Sequence, residues 1–235
     1  LADADGVVEV GPETDYLEAG EPVTVTLFSP DVRPPTVFAV GEDDPTLSRA
    51  LDGLANPRYL SVGTRPGLRR LREGVPDVAV AAGPLEAEFE TTTLGRWDRE
   101  WGLVVRPGNP DEIEGLADLV DRDLRLINRT TDSGLRSSLD AAIADLADER
   151  GTTSRDLTDA IDGYDLGLRA HESPARKVIA GDADAGLGLG ETADRLDLGF
   201  VSLGEQPVRV LANPDRMSKE GVRELEDALT DVSTR

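Results

Sequence analysis

The sequence predicts an α/β protein built on open, mostly parallel sheets. From Thr36 onward, strand-sized apolar runs alternate with segments whose apolar residues recur at helical spacing. This alternation is typical of βα units, in which helices cover both faces of a sheet. Several helix starts are also marked, as at Asp44-Pro45, where Asp can cap free amides and Pro suits the first helical position. A chain of this length forms either one large sheet or two lobes.

The strands are short apolar runs bounded by turn residues. They are predicted at residues 36–40, 59–62, 77–82, 101–105, 124–127, 183–187, 199–203 and 208–211. Helices are predicted after Asp44, near Arg65, after Asp111, from Asp132, from Ser173-Pro174 and from Lys219 to Val232. The helix from Asp132 is the most clearly amphipathic, because Leu135, Leu139, Ile143 and Leu146 form one stripe.

The first residues differ from the rest. Residues 6–10 and 22–28 alternate between apolar and polar side chains as half-buried strands do, and the proline-containing residues 29–35 indicate a stiff linker. Two strands alone do not form a stable domain. This segment is therefore expected to be the tail of another domain or to pack on the main one.

Composition excludes several classes of function. The 47 acidic residues exceed the 25 basic ones, and the net charge of −22 supplies no basic face for nucleic acid. The acidic residues are spread along the chain, and Lys177 and Lys219 are the only lysines. This pattern is similar to that of haloarchaeal cytoplasmic proteins, where concentrated salt shortens the Debye length to roughly 3 Å and screens self-repulsion.

Two counts limit the chemistry. Cysteine is absent, which excludes disulfides and thiolate chemistry, and His171 is the only histidine, which excludes a two-histidine metal site within one chain. No paired catalytic carboxylates, phosphate loop or activated nucleophile can be identified. We therefore predict no catalytic residues, no metal site and no resident cofactor, and no apolar run is long enough to span a membrane.

The strongest candidate binding segment is 128–136, which leaves a strand and enters a helix. Its hydroxyl and glycine residues, Thr131, Ser133 and Gly134, expose amides at a helix start, which suits an anion. Arg129 and Arg136 could add charge-assisted hydrogen bonds. The alternative is ordinary capping by Asp132 or Ser133, with both arginines on the surface.

A second helix start of the same kind contains Gly63 and Thr64, although a glycine-rich turn explains it equally well. Glu42-Asp43-Asp44 follows the first strand and would repel an anion; these carboxylates either bind a cation or ammonium group or cap the helix. His171 precedes another helix and is either a structural residue or a ligand contact.

Several segments in order carry a resemblance to a known family. They are residues 61–64, 77–81, 106–110, 128–136, His171 and 183–188. The chain resembles the cytoplasmic periplasmic-binding-protein-like (type II) domain attached to molybdenum-cofactor proteins and to some helix-turn-helix regulators. Residues 1–28 resemble the end of the last β-rich domain of a haloarchaeal-type molybdopterin molybdotransferase, whose catalytic domains are absent from this chain.

The resemblance implies a two-lobed fold. Residues 1–32 would be the tail of the molybdotransferase domain plus a linker, and residues 33–235 the binding-protein-like domain. Lobe 1 would comprise about 36–104 and 199–235, and lobe 2 about 105–198. The chain itself would not be an enzyme, although its full-length parent would be.

The resemblance also implies a cytoplasmic sensor or binding module of molybdenum cofactor biosynthesis. Its ligand would be molybdate or tungstate, held by Gly63, Thr64, Arg129, Thr131, Ser133, Gly134, Arg136 and His171. Glu42-Asp43-Asp44 stands where molybdate receptors place a small hydroxyl residue. The alternatives are an organic ligand, such as a pterin or a zwitterion, and a non-binding module that holds the parent enzyme as a homodimer. Neither nucleic acid nor a membrane is an expected partner.

Overall fold

The computed structural model describes residues 5–18 and 21–232, and the chain divides into two compact units, Leu1–Pro35 and Thr36–Arg235. In the first unit, β1 (Gly6–Val8) pairs antiparallel with β2 (Val25–Leu27). Both strands are shorter than predicted. Apolar side chains of this unit are exposed, for example Phe28, as expected of a two-stranded sheet that has no core of its own.

The second unit alternates strands and helices. Its strands are β3 (Phe38–Gly41), β4 (Arg58–Ser61), β5 (Val78–Ala82), β6 (Thr92–Val105), β7 (Leu126–Arg129), β8 (Gly167–Leu168), β9 (Ala185–Leu189) and β10 (Gly199–Ala212). Its helices are α1 (Pro45–Asp52), α2 (Thr64–Arg72), α3 (Leu116–Asp121), α4 (Gly134–Arg150), α5 (Ser154–Ala160), α6 (Ser173–Ile179), α7 (Gly190–Arg195) and α8 (Glu220–Val232). None of the helices in the described ranges is long and apolar enough to cross a membrane.

All the strands of the second unit lie in one sheet in the order β4-β3-β5-β10-β6-β9-β7-β8. The pairs at both ends of the sheet are parallel, as predicted. The centre is antiparallel, because β10 runs opposite to β5 and β6, and β6 runs opposite to β9. The sheet is therefore mixed, and the mostly parallel expectation holds only towards its edges.

The central strands β6 and β10 cross between two hydrophobic cores. One core lies around Leu103, Leu135 and Leu187, and the other around Val80 and Val210. Each of these two strands contributes residues to both cores, so the chain passes from one lobe to the other in the middle of each strand. This arrangement of two cores joined by two long strands is a two-lobed α/β fold.

Some elements differ from the prediction for identifiable reasons. β10 was predicted as two strands, but it continues through the polar residues 204–207 with a register shift between Ser202 and Gly204. The helix expected after Asp111 begins only at Leu116. The preceding loop is closed by the Asn109 side chain, which accepts from the amide of Ile113 and donates to its carbonyl. The short helices α5 and α7 were not predicted.

Candidate functional site

The two helix starts singled out in the sequence lie against each other across the cleft. A Cβ atom added at Gly63 would lie 2.4 Å from the carbonyl oxygen of Asp132, and one added at Gly134 would lie 2.4 Å from that of Ala82. Gly63 also has a φ of 86°, which side chains rarely adopt. Glycine is therefore needed at both positions for the starts of α2 and α4 to approach so closely.

We expect Gly63→Ala to lower the free energy of unfolding by about 2 kcal/mol or more, because it combines a left-handed φ with a backbone clash. Gly53 is a matched control: its φ is −81° and an added Cβ would come no closer than 3.7 Å to the Ala50 carbonyl. Chemical denaturation of both variants checks this. Equal effects of the two substitutions would contradict the close approach.

The carboxylate of Glu42 fills the space between the two helix starts. It accepts hydrogen bonds from Thr64 Oγ1 at 3.1 Å, Ser133 Oγ at 2.8 Å and the Gly134 amide at 2.7 Å. We call these three donors the cradle. Glu42 is only 1% exposed. Three of the residues predicted to hold a ligand therefore lie together, and they bind a carboxylate of the chain itself.

A buried arginine on β6 balances these charges. Arg99 Nη2 lies 3.8 Å from Glu42 Oε1, and its Nη1 lies 3.0 Å from Asp44 Oδ2. Its Nε and Nη2 donate to Gln206 Oε1 at 2.9 and 2.7 Å, and Gln206 Nε2 donates to Ser138 Oγ at 2.7 Å. The network joins the loop after β3 to both crossing strands and to α4.

The acidic loop acts mainly as a pair of helix caps. Asp44 Oδ1 accepts from the amides of Thr46 and Leu47 at the start of α1, which is the capping interpretation of the sequence. Glu42 in turn accepts from the Gly134 amide at the start of α4. This second capping contact joins residues far apart in sequence, and local sequence patterns do not predict it.

Arg129 is buried with two of its side-chain nitrogens unpartnered in the part of the chain that the structure describes. It is 3% exposed, and its Nε and Nη1 make no hydrogen bond among the described residues. Burial lowers the pKa of Arg129 below its ordinary value, although Glu42 and Asp43 act in the opposite direction. Burial likewise raises the pKa of Asp43, against the effect of Arg129. A buried cation with unused donors is the arrangement most in need of an anionic ligand.

His171 is a neutral, buried member of the same region. Its Nε2 lies 2.9 Å from Thr192 Oγ1, while its Nδ1 has no partner among the described residues. Burial, followed by the charges of Arg99, Arg129 and Arg195, lowers its pKa from 6.5 to about 3. His171 therefore contributes a neutral polar atom at the cleft, not a charge.

This shift predicts a pH-dependent stability. Between the unfolded pKa of 6.5 and the folded pKa of about 3, the unfolded chain binds a proton at His171 that the folded chain does not. Stability contributed by the neutral ring is thus fully present above the higher value and is lost as pH falls, by about 1.4 kcal/mol per pH unit. We expect the wild type to lose about 2 kcal/mol more than His171→Gln on going to about pH 5. Parallel stability profiles for the two proteins would contradict this.

Two predicted contacts lie apart from this cluster. The Arg136 guanidinium donates to Asp140 at 2.8 Å and to the Tyr164 carbonyl at 3.1 Å, and it stacks 4.0 Å above the Tyr164 ring. These contacts place Arg136 in a structural role within the second lobe. Thr131 is exposed in the turn before α4, and its neighbour Thr130 lines the cleft instead. Arg136 and Thr131 therefore lie outside the group of side chains that surround Glu42, and their assignment to the ligand site stays a prediction.

Two cavities adjoin Asp43. The larger, about 550 Å³, is lined by residues of α1, α6 and α7 together with His171. The smaller, about 10 Å³, is lined by Arg129, Glu42, Gly63 and Ser133, among others. The smaller one holds at most about one water molecule. The larger cavity has the size of a ligand site, and Arg129 lines the smaller one.

The sequence did not single out Arg99. A signal was present, because strict alternation along β6 places Arg99 on the same side as Trp97 and Trp101. The strand was predicted to begin only at Trp101, so Arg99 was not recognised as part of it.

Part of the chain is similar in sequence to a curated protein. It is 34% identical over 128 residues to "Uncharacterized protein YvgK" of Bacillus subtilis (strain 168), and the match covers 54% of this chain. The match spans only 39% of the length of that relative.

Solved structures share the fold at low sequence identity. A phosphate ABC transporter substrate-binding protein from Clostridium perfringens, with bound phosphate, has a TM-score of 0.58 at 13% identity, covering 84% of this chain and 96% of its own. The sulfate-binding protein SubI from Mycobacterium tuberculosis has a TM-score of 0.56 at 16% identity, covering 82% and 79%. The effector-binding domain of QuiR in complex with shikimate has a TM-score of 0.58 at 13% identity, covering 85% and 97%.

The fold of these neighbours is the two-lobed, periplasmic-binding-protein-like fold described above. The model of the PBP superfamily domain matches residues 47–230, which include nearly all of the second unit. The chain belongs to the PBP superfamily.

Proposed function

We propose that the chain binds a small organic anion in the cleft between its lobes and that Arg129 is the cation that holds the anionic group. The observation that carries this proposal is the burial of Arg129, whose Nε and Nη1 have no hydrogen-bond partner among the residues that the structure describes. A guanidinium presents its donors in a fixed fork that matches a carboxylate. Burying this group without a partner costs free energy in the empty protein, and a bound anion would recover it.

The surroundings of Arg129 favour a ligand with more than one kind of polar group. Asp43 lines both cavities, and His171, whose buried Nδ1 has no partner among the described residues, lines the larger one. A ligand with a carboxylate at one end and an ammonium or hydroxyl group at the other complements this pattern. The neighbours with the same fold, whose titles name phosphate, sulfate and shikimate, support anion binding in general without selecting the ligand.

A second candidate ligand is molybdate or tungstate, which would link the chain to molybdenum cofactor biosynthesis. The resemblance of residues 1–28 and of the helix starts suggests it, and the convergence of three donors on one point is compatible with an oxyanion. A cytoplasmic, salt-adapted setting and dimerisation through a parent enzyme belong to the same proposal. The open cavity of about 550 Å³ favours ligand binding over a purely structural module.

Isothermal titration calorimetry of the wild type with glutamate, citrate, shikimate, sulfate, phosphate, molybdate and tungstate, at low and high salt, tests the proposal. We expect an organic anion to bind and Arg129→Lys to weaken it at least tenfold, because a lysine cannot reproduce the fork. Arg176→Ala is the control: Arg176 lines the larger cavity but is paired with Glu172 at 2.6 Å. Equal affinities in the wild type and the Arg129 variant would overturn the proposal.

A further inference from the structure

The cradle is a complete anion site whose occupant is covalently part of the chain. Two of its donors, Ser133 Oγ and the Gly134 amide, lie at the start of the 17-residue helix α4, where the helix dipole favours negative charge. The third, Thr64, comes from the start of α2 in the other lobe. Each donates to a carboxylate oxygen of Glu42 within 3.1 Å. Glu42 thus occupies the position that a free anion could occupy if residue 42 had a short side chain.

A second observation shows that the region has buried hydrogen-bond donors that Glu42 does not use. Arg129 lines the same small cavity as Glu42 and Ser133, is 3% exposed, and keeps Nε and Nη1 unpartnered among the described residues. Glu42 satisfies the cradle but leaves these donors unused. The site therefore has two parts: the cradle, which Glu42 occupies, and the Arg129 donors, which a ligand would bind.

We propose that Glu42 is the specificity-determining residue of this site: it occupies the cradle as an internal anion and excludes small inorganic oxyanions from it. The proposal rests on the proposed function in one respect, namely that the cleft is a ligand site. An entering oxyanion would have to displace a carboxylate held by three hydrogen bonds and by Arg99. If Glu42 stayed in place, its negative charge would repel the oxyanion, because charges at short range are poorly screened in a protein interior. The ligand is thereby restricted to an organic anion that reaches Arg129 without entering the cradle.

Removing the Glu42 carboxylate should therefore create an oxyanion site. We expect Glu42→Ala and Glu42→Ser to bind sulfate, phosphate, molybdate or tungstate at least about 100-fold more tightly than the wild type in calorimetry. The bound oxyanion should also raise the Tm of each variant, since a ligand that binds only the folded state stabilises it. Asp52→Ala is the charge-matched control, because exposed Asp52 lines the larger cavity and its loss leaves Glu42 in the cradle.

Each outcome decides the proposal. Oxyanion binding by the Glu42 variants, and not by Asp52→Ala, would support it. It would be overturned if the wild type bound these oxyanions as tightly as the Glu42 variants do. It would equally be overturned if folded variants bound none, or if both variants failed to fold and no oxyanion restored cooperative unfolding. These results are separate from the Arg129→Lys titration with organic anions, so failure of the proposed function and failure of the Glu42 assignment can be told apart.

Discussion

Replacing Arg99 with methionine is expected to lower the free energy of unfolding by about 3–5 kcal/mol, because it removes one partner from a buried ion network. The substitution would leave Glu42 and Asp44, each 1% exposed, without their cation. It would also leave Gln206 Oε1 without the two hydrogen bonds that it accepts. Methionine keeps much of the buried side-chain volume, so the loss reports on charge and hydrogen bonding more than on packing.

Arg49→Met is the matched control for this prediction. Arg49 also forms an ion pair, with Glu191 at 2.9 Å, but both side chains are about half exposed. Pairs of this kind contribute about 0–1 kcal/mol. Urea denaturation of the two variants at the same salt concentration measures the difference. If both substitutions cost the same, the network around Arg99 does not hold the lobes as described.

Arg129→Met is expected to have the opposite effect on stability. Burial outweighs the attraction of Glu42 and Asp43 at this guanidinium, since the net effect lowers its pKa. The charged form is therefore less favourable in the folded protein than in water, and we expect an apolar side chain of similar length to raise the free energy of unfolding. Binding of an organic anion should be lost in the same variant, because its fork of donors is gone.

The combination of higher stability and lost binding distinguishes a ligand-binding arginine from a structural one. Arg99 and Arg129 are both buried near Glu42, yet their replacements should shift the denaturation midpoint in opposite directions. A fall in stability for Arg129→Met comparable to that for Arg99→Met would show that Arg129 serves the fold.

The sequence predicted the elements that depend on local patterns. The strand after Thr36, the Asp44 cap, and the stripe Leu135, Leu139 and Ile143 all appear as expected. The continuous β10 was missed because residues 204–207, which contain Gly and Pro, read locally as a turn. Pairing with β6, from Gly204 opposite Trp101 to Pro207 opposite Asp98, holds these residues in the sheet nevertheless.

Only the part of the candidate site that depends on local sequence patterns was predicted. Gly63, Thr64, Ser133 and Gly134 were identified from helix-start chemistry, and the structure brings them together. The contact of Glu42 with Gly134 depends on how two lobes meet, which no local pattern encodes. Only their surroundings distinguish the two arginines. Arg136 binds an acidic residue and stacks on an aromatic ring of its own lobe, whereas Nε and Nη1 of Arg129 have no hydrogen-bond partner within residues 5–18 and 21–232.

A crystal structure of the wild type with its tightest-binding carboxylate is the most direct test of the site described here. We predict ligand oxygens within hydrogen-bonding distance of Arg129 Nε and Nη1, with Glu42 still bound to Ser133 and Gly134. A ligand carboxylate seated in the cradle with Glu42 displaced, or a ligand that leaves both Arg129 donors unused, would contradict the account.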